Sequence, residues 1–357
     1  MLDDLDKLAK QFGGLTEEYS FYGGQVTLRY DVKNHVYYLI TGDELVALDG
    51  VTNICHILDK SSVLVPWGCK MMGNKLLSLI KTEYQYDQYE NFLTNEKELI
   101  ELIRQSKSAH KDILEDAGNV GHVAHAWIEK YINASIASTA PIPVTINEPR
   151  ALSCVQAALT WMNKHNVRWL GTERKVYSRR YQYAGTMDGW ALVDSCKEPT
   201  CCKTVFKDRL SLVDWKSGNG LWPEFLLQTA AYQQAFEEET GQIIDDRWIV
   251  RLGKEDGKFF VWHVEGRENY EEDLSAFLSA LDLSRDFATV KERVNEENSA
   301  ISLAKKIAKK AAQEEANKIQ CKKYPTYKGV RYPTCNGGNP CQACLKKYEE
   351  KHLVLDK

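Results

Sequence analysis

No run of apolar residues in this chain approaches the roughly 18 that a membrane-spanning helix needs, so no membrane association is expected. The opening segment, MLDDLDKLAKQ, is acidic and lacks an apolar h-region, which argues against a secretory leader. Charge of one sign is not in excess: 46 Lys and Arg face 50 Asp and Glu, a net charge of −4. That balance excludes a protein that coats nucleic acid by bulk charge, so any path for a polyanion must be local. Ten cysteines in 357 residues are too few for a disulfide scaffold. Without export they are expected as reduced thiols or metal ligands. No internal repeat is visible. The expected setting is the cytoplasm, that of a host cell if the chain is viral.

What is present can build a core: 43% of residues are hydrophobic and 10% aromatic, which excludes disorder throughout. Residues 26–50 read as hairpin strands, VTLRYDV, HVYYLI and ELVALDG, broken by turns such as TGDE. A short helix is expected at VTNICHIL, then a second that Pro66 opens, and residues 82–100 read as polar, Tyr-rich surface. From about Lys107 to Ile132, Ile113, Leu114, Val120, Ala124, Trp127, Ile128 and Tyr131 recur at helical steps. A loop with three prolines separates this helix from ALSCVQAALTWMNKHN, another amphipathic helix. WLGTERKVYS, GTMDGWALVDS and DRLSLVDWKS read as strands, with the insert CKEPTCCKTVFK between the last two. Pro223 and Gly241 bracket a helix. A hairpin turning at Glu255–Gly257 follows, and Leu274, Phe277, Leu278 and Leu281 begin a long helical region. This order implies an α/β fold, a mixed central β-sheet flanked by helices, with helical additions at both ends. The expected divisions are 1–105, 106–290 and 291–357.

The chemistry centres on Asp214-Trp215-Lys216. Residues i and i+2 of a strand share a face, so Asp214 and Lys216 point one way and Trp215 the other. Leu210, Leu212 and Val213 mark the strand as buried, and charge at the end of a buried strand needs a reason. Two more D-x-K triplets, at Asp31–Lys33 and Asp256–Lys258, fall in hairpins where solvated charge is expected. Asp188 begins the preceding strand, after what reads as a tight turn at Ala184-Gly185-Thr186. If the strands pair, two carboxylates converge, and at about 4 Å they repel by roughly 4 kcal/mol at an effective dielectric of 20. A cation between them is then expected, and hard oxygen ligands select Mg²⁺ or Mn²⁺. On the next helix Gln228 and Tyr232 share a face. Upstream, His125 and Glu129 do the same, and His125 could add an imidazole to the carboxylate site.

GHVAHAWIEKYI, TERKVYSRRYQYAGTMDGWALVD, LSLVDWKSG and LLQTAAYQQAF occur in the order seen in RecB-like nucleases of the PD-(D/E)XK superfamily. The chain resembles the phage-type and mitochondrial genome maintenance exonuclease branch, and also CRISPR-associated RecB-like exonucleases, over residues 118–240. That resemblance implies a restriction-endonuclease-like core and a metal-dependent DNA exonuclease acting in replication, recombination or repair. It implies His125, Asp188, Asp214 and the Trp215 carbonyl as metal ligands and Lys216 as the catalytic lysine. Gln228 and Tyr232 match the pair that supports the site and the DNA, and Glu173 matches an acidic position on the strand before Asp188. The chain departs from the family at His122, where a Thr is common, and in the CKEPTCCK insert. A structure-specific or single-strand endonuclease, or a DNA-binding accessory protein with a vestigial nuclease fold, are the rival readings.

Cys335-x5-Cys341-x2-Cys344 has metal-ligand spacing, with Gly337, Gly338 and Pro340 to bend the chain. Some relatives hold an iron–sulfur cluster with one Cys before the nuclease motifs and three after. Cys335, Cys341 and Cys344 are candidates for the three, with Cys55, Cys69 or Cys321 as the fourth. A 4Fe–4S cluster, a zinc site recruiting Cys196, Cys201 or Cys202, and plain reduced thiols all remain open. Residues 301–331 hold eight Lys, one Arg and two Glu. With Tyr324, Tyr327 and Tyr332 this stretch could line a DNA path, or present one solvated helix face.

Overall fold

The computed structural model of the chain describes residues 15–83, 95–139, 145–196, 198, 201–218 and 220–318, with side chains as far as 312. It is a mixed α/β structure built on a nine-stranded sheet with helices on both faces. The strands are β1 (Thr16–Phe21), β2 (Val26–Asp31), β3 (Val36–Thr41), β4 (Glu44–Gly50), β5 (Arg168–Ser178), β6 (Tyr183–Val193), β7 (Arg209–Lys216), β8 (Asp246–Leu252) and β9 (Phe259–Glu265). The helices are α1 (Val51–Cys55), α2 (Ser61–Glu83), α3 (Glu96–Ser106), α4 (Ala109–Ile136), α5 (Pro149–Lys164), α6 (Glu224–Thr240) and α7 (Arg267–Lys318). The compact body runs to Ser284; a second unit starts at Arg285 and continues α7.

One strand organises the centre. β5 pairs antiparallel along nearly the whole of one edge of β6. The other edge is shared: β4 runs parallel to it at Tyr183 and Ala184, and β7 antiparallel at residues 189–193. Between those stretches, residues 185–188 face neither strand, and the sheet forks. β7 then pairs parallel with β8, and β8 antiparallel with β9.

Alternation along the strands sorts the two cores. Val213 and Trp215 point to the face covered by α4 and α5, where they join Ala124, Ile128, Val155, Trp161 and Trp248. Leu212 points to the opposite face, covered by α1, α6 and α7 through Val51, Ala231, Phe236 and Phe277. A third cluster, around Phe21, Leu28, Tyr30, Tyr37 and Tyr177, seats the β1–β3 strands against β5 and β6.

Several sequence expectations shift. Pro66 lies inside α2 rather than opening it. The Asp59 carboxylate accepts from the Ser61 N–H at 2.8 Å, so the helix starts earlier, and Pro66 merely forgoes one hydrogen bond of the ladder. Within 82–100, α3 begins at Glu96 behind a capping box, with the Asn95 side chain accepting from the Glu98 N–H. That N-x-x-E signature stood in the sequence. Ala184-Gly185-Thr186 is not a turn but part of β6; the turn lies at residues 179–182, where Gln182 takes a φ of 57°. Gly185 is instead needed for space, since a Cβ there would lie 2.5 Å from Cε1 of Tyr232. Thr16–Phe21 forms a further strand. The other two D-x-K triplets close turns: Asp31 accepts from the backbone of Lys33 and Asn34, and Asp256 from that of Lys258.

Candidate active site

The fork in the sheet is where the charged side chains gather. Asp188 sits on β6 at the last position before β7 pairs with it, and Asp214 extends the same register by one residue on β7. Asp188 Oδ2 accepts from the Trp215 N–H at 2.8 Å. Asp214 is buried, and Lys216 Nζ donates to its Oδ1 at 3.0 Å. Nζ also lies 2.8 Å from Oδ2, so the ammonium is in ion-pair contact with both carboxylate oxygens. Trp215, facing the other way, is buried edge-on against Trp161 at 5.4 Å between ring centroids.

α6 supplies the cover. Its bounds follow the sequence, with Pro223 at the N-cap and Gly241 left-handed at φ 69°, donating its N–H to the Glu237 carbonyl. Lys216 Nζ donates to Gln228 Oε1 at 3.1 Å, and Gln228 Nε2 donates to the Tyr232 hydroxyl at 2.7 Å. A chain of contacts therefore runs from Asp214 through Lys216 and Gln228 to Tyr232. Lys216 also lies over the Phe225 ring, 4.7 Å from its centroid.

α4 carries His125 within range of the Lys216 and Asp214 charges. Its approach to the end of β7 depends on Gly121, where a Cβ would lie 2.6 Å from Ser217 Oγ. From β5, Glu173 falls opposite Asp188, between the pairs Thr172↔Gly189 and Arg174↔Met187. It holds a left-handed φ of 50°, a conformation that an ordinary side chain adopts only at a cost of order 1–3 kcal/mol.

Burial dominates the electrostatics. It pushes Asp214 up to about 6 against the pull of Lys216, and it raises Asp188 as well. Glu173 is pushed up to about 7 by burial and then by the Asp188 charge. Burial, followed by the Lys216 ammonium, pushes the His125 imidazole down to about 4, so it is neutral at physiological pH. Burial works against the Lys216 charge too, but Asp214 and Asp188 outweigh it and hold the ammonium above its ordinary value.

Asp188 opens into a cleft of about 540 Å³, lined also by His122, Glu173, Gln228 and Tyr232 but not by Asp214, Lys216 or His125. Its far wall escaped the sequence reading. Tyr30 and Tyr37 from β2 and β3 stack there at 4.8 Å, and Lys175 Nζ lies 4.9 Å above the Tyr30 ring. The only signal for them was the aromatic content of the first strands, which is equally a core signal.

Cys321, Cys335, Cys341 and Cys344 lie outside the described residues, as do Tyr324, Tyr327 and Tyr332. The described part of the basic stretch, residues 301–312, is exposed helix. No helix among the described residues is long and apolar enough to cross a membrane.

No family model matches this chain, and no curated protein does. Among solved structures it is similar to LHK-Exo in complex with dAMP, at 16% identity and a TM-score of 0.25, covering 45% of this chain and 81% of that one. At that score the likeness is slight, and the site stands on its own geometry.

Proposed function

We propose that the chain is a divalent-metal-dependent deoxyribonuclease, of exonuclease type, that hydrolyses phosphodiester bonds in DNA during replication, recombination or repair. The observation that carries this reading is the Asp188–Asp214–Lys216 cluster at a fork of the sheet, where the buried Asp214 is in ion-pair contact with Lys216 and Asp188 lines a cleft. Two carboxylates and a neutral imidazole are donor types that suit Mg²⁺ or Mn²⁺, and an ion would have to draw them together, since their ligand atoms are not among the described groups that lie within 4.8 Å of one another. Asp188, Asp214, His125 and the Trp215 carbonyl would hold the ion. When bound, it supplies Lewis-acid polarisation of the phosphodiester and a more acidic attacking water.

The chain's own groups do the rest. The Lys216 ammonium, pinned between Asp214 and Gln228, places a fixed positive charge where phosphate charge develops. Gln228 and Tyr232 keep that ammonium from swinging away, and so act as positioning residues. Glu173, with a carboxyl pushed up to about 7, can take or give a proton near neutral pH at the mouth of the cleft. Lys175, at the cleft wall over the buried Tyr30 ring, offers a cation for a phosphate of the bound strand. We place the protein in the cytoplasm; the described cysteines form no disulfides.

The test is incubation with end-labelled linear and with circular DNA, single- and double-stranded, under Mg²⁺, Mn²⁺ or chelator. Metal-dependent release of nucleotides from linear DNA is expected. Equal degradation of closed circles would make the enzyme an endonuclease, and binding without cleavage would make it an accessory protein.

A further inference from the structure

Away from the carboxylates, the connection between β6 and β7 folds back under the end of α5. His165, the residue that follows α5, and Cys196, Cys201 and Cys202 of the connection are all buried there. Their ligand atoms lie within 4.8 Å of one another. Cys196 Sγ and Cys202 Sγ are 3.5 Å apart, and His165 Nε2 is 3.2 Å from Cys201 Sγ. We infer that these four side chains form a closed tetrahedral site for Zn²⁺, independent of the nuclease site.

Dimensions and donor chemistry both support the assignment. A tetrahedron with metal–sulfur bonds of about 2.3 Å has edges of roughly 3.8 Å, so the four atoms need only small shifts to accept an ion. His165 Nδ1 lies 2.8 Å from the Trp161 carbonyl oxygen. That oxygen can only accept, so Nδ1 carries the proton and Nε2 turns its lone pair toward the thiols. The Cys196 N–H donates to Cys202 Sγ at 3.2 Å, a bond that favours the thiolate over the thiol. Three sulfurs and one nitrogen are a soft set, suited to zinc and unsuited to Mg²⁺. A four-iron cluster would hold its cysteine sulfurs farther apart than these. With all four positions filled by protein, the site is structural. Binding sends the three thiol protons to solvent and ties the end of α5 to the connection between the strands that carry Asp188 and Asp214.

Cys321, Cys335, Cys341 and Cys344 carry thiols that could bind metal on their own. The experiment therefore removes the C-terminal thiols. The full chain carrying Cys321→Ser, Cys335→Ser, Cys341→Ser and Cys344→Ser is purified, dialysed against chelator and assayed for metal by mass spectrometry. One zinc per chain is expected. Exchange into Co²⁺ should give tetrahedral d–d bands and sulfur-to-cobalt charge transfer of the strength of three thiolates. Adding Cys202→Ser should abolish tight retention. Absence of metal and of the cobalt bands in the chain with all four ligands intact overturns the proposal, whether or not the Cys202→Ser chain folds. So does a Cys196–Cys202 disulfide in metal-free protein as isolated.

Discussion

The main-chain N–H of Trp215 donates to Oδ2 of Asp188, so the strand that carries Asp214 and Lys216 is fastened by its own backbone to the carboxylate on the neighbouring strand. The two acids are thereby placed by sheet geometry rather than by flexible loops, and the Lys216 ammonium is held between Asp214 and Gln228 of α6.

Asp188→Ala, Asp214→Ala and Lys216→Ala should each lower cleavage by about 10²–10³-fold or more, the scale seen when one charge-stabilising group is lost. DNA binding should survive, because it rests mainly on phosphate contacts spread elsewhere. Gel shift in chelator and cleavage in Mg²⁺ separate the two effects. Wild-type cleavage by Lys216→Ala would remove that lysine from the mechanism.

The pH dependence has a definite sign. Glu173 binds its proton more tightly folded, at about 7 against an ordinary 4.5. Its contribution to stability is therefore full below about 4.5 and is lost as pH rises to about 7. In chelator, the melting temperature of wild type should fall relative to that of Glu173→Gln as pH rises across this window. Asp214, raised to about 6, should release metal as pH falls below that value, because proton and metal compete for it. Isothermal titration with Mn²⁺ at a series of pH values checks this.

Gly185→Ala should destabilise the fold by about 1–3 kcal/mol, the usual result of overpacking. The new Cβ meets the Tyr232 ring at 2.5 Å and Val51 Cγ2 at 3.2 Å, and neither can retreat from the core. Because Tyr232 anchors Gln228, activity should fall with stability. Urea titration measures the first effect. In a Tyr232→Ala background the same change should cost far less, since the pair is coupled.

Lys175→Ala should weaken binding of single-stranded DNA and lower the slope of log affinity against log salt by about 0.7, the loss of one phosphate contact. Fluorescence anisotropy in an Asp214→Asn background measures it without cleavage. Unchanged affinity and slope would leave Lys175 as a cover for the Tyr30 ring alone.

Much of the core was legible in residue order. The alternation in Leu212-Val213-Asp214-Trp215-Lys216 assigns faces without any knowledge of the neighbours, because a strand has a period of two. Pro223 and Gly241 bound α6 through properties of their own backbones, and the four-residue step from Gln228 to Tyr232 places both on one side.

What no local pattern contained were the meetings across distance. β4 reaches β6 through a parallel pairing of only two residues, and it is this short contact that opens the fork beside Asp188 and sets Tyr30 and Tyr37 across the cleft. Gly185 looked like a turn because its local chemistry is that of a turn, while its real constraint is a tyrosine from another element. His165 stands 31 residues before Cys196, at the end of a helix, with nothing nearby in the chain to mark it as a ligand. Sequence alone determined the elements and the faces of the charged strand, since these follow from backbone periods and caps. Tertiary structure alone decided which distant side chains share a cleft or a prospective metal, since only packing of the whole sheet brings them within bonding range.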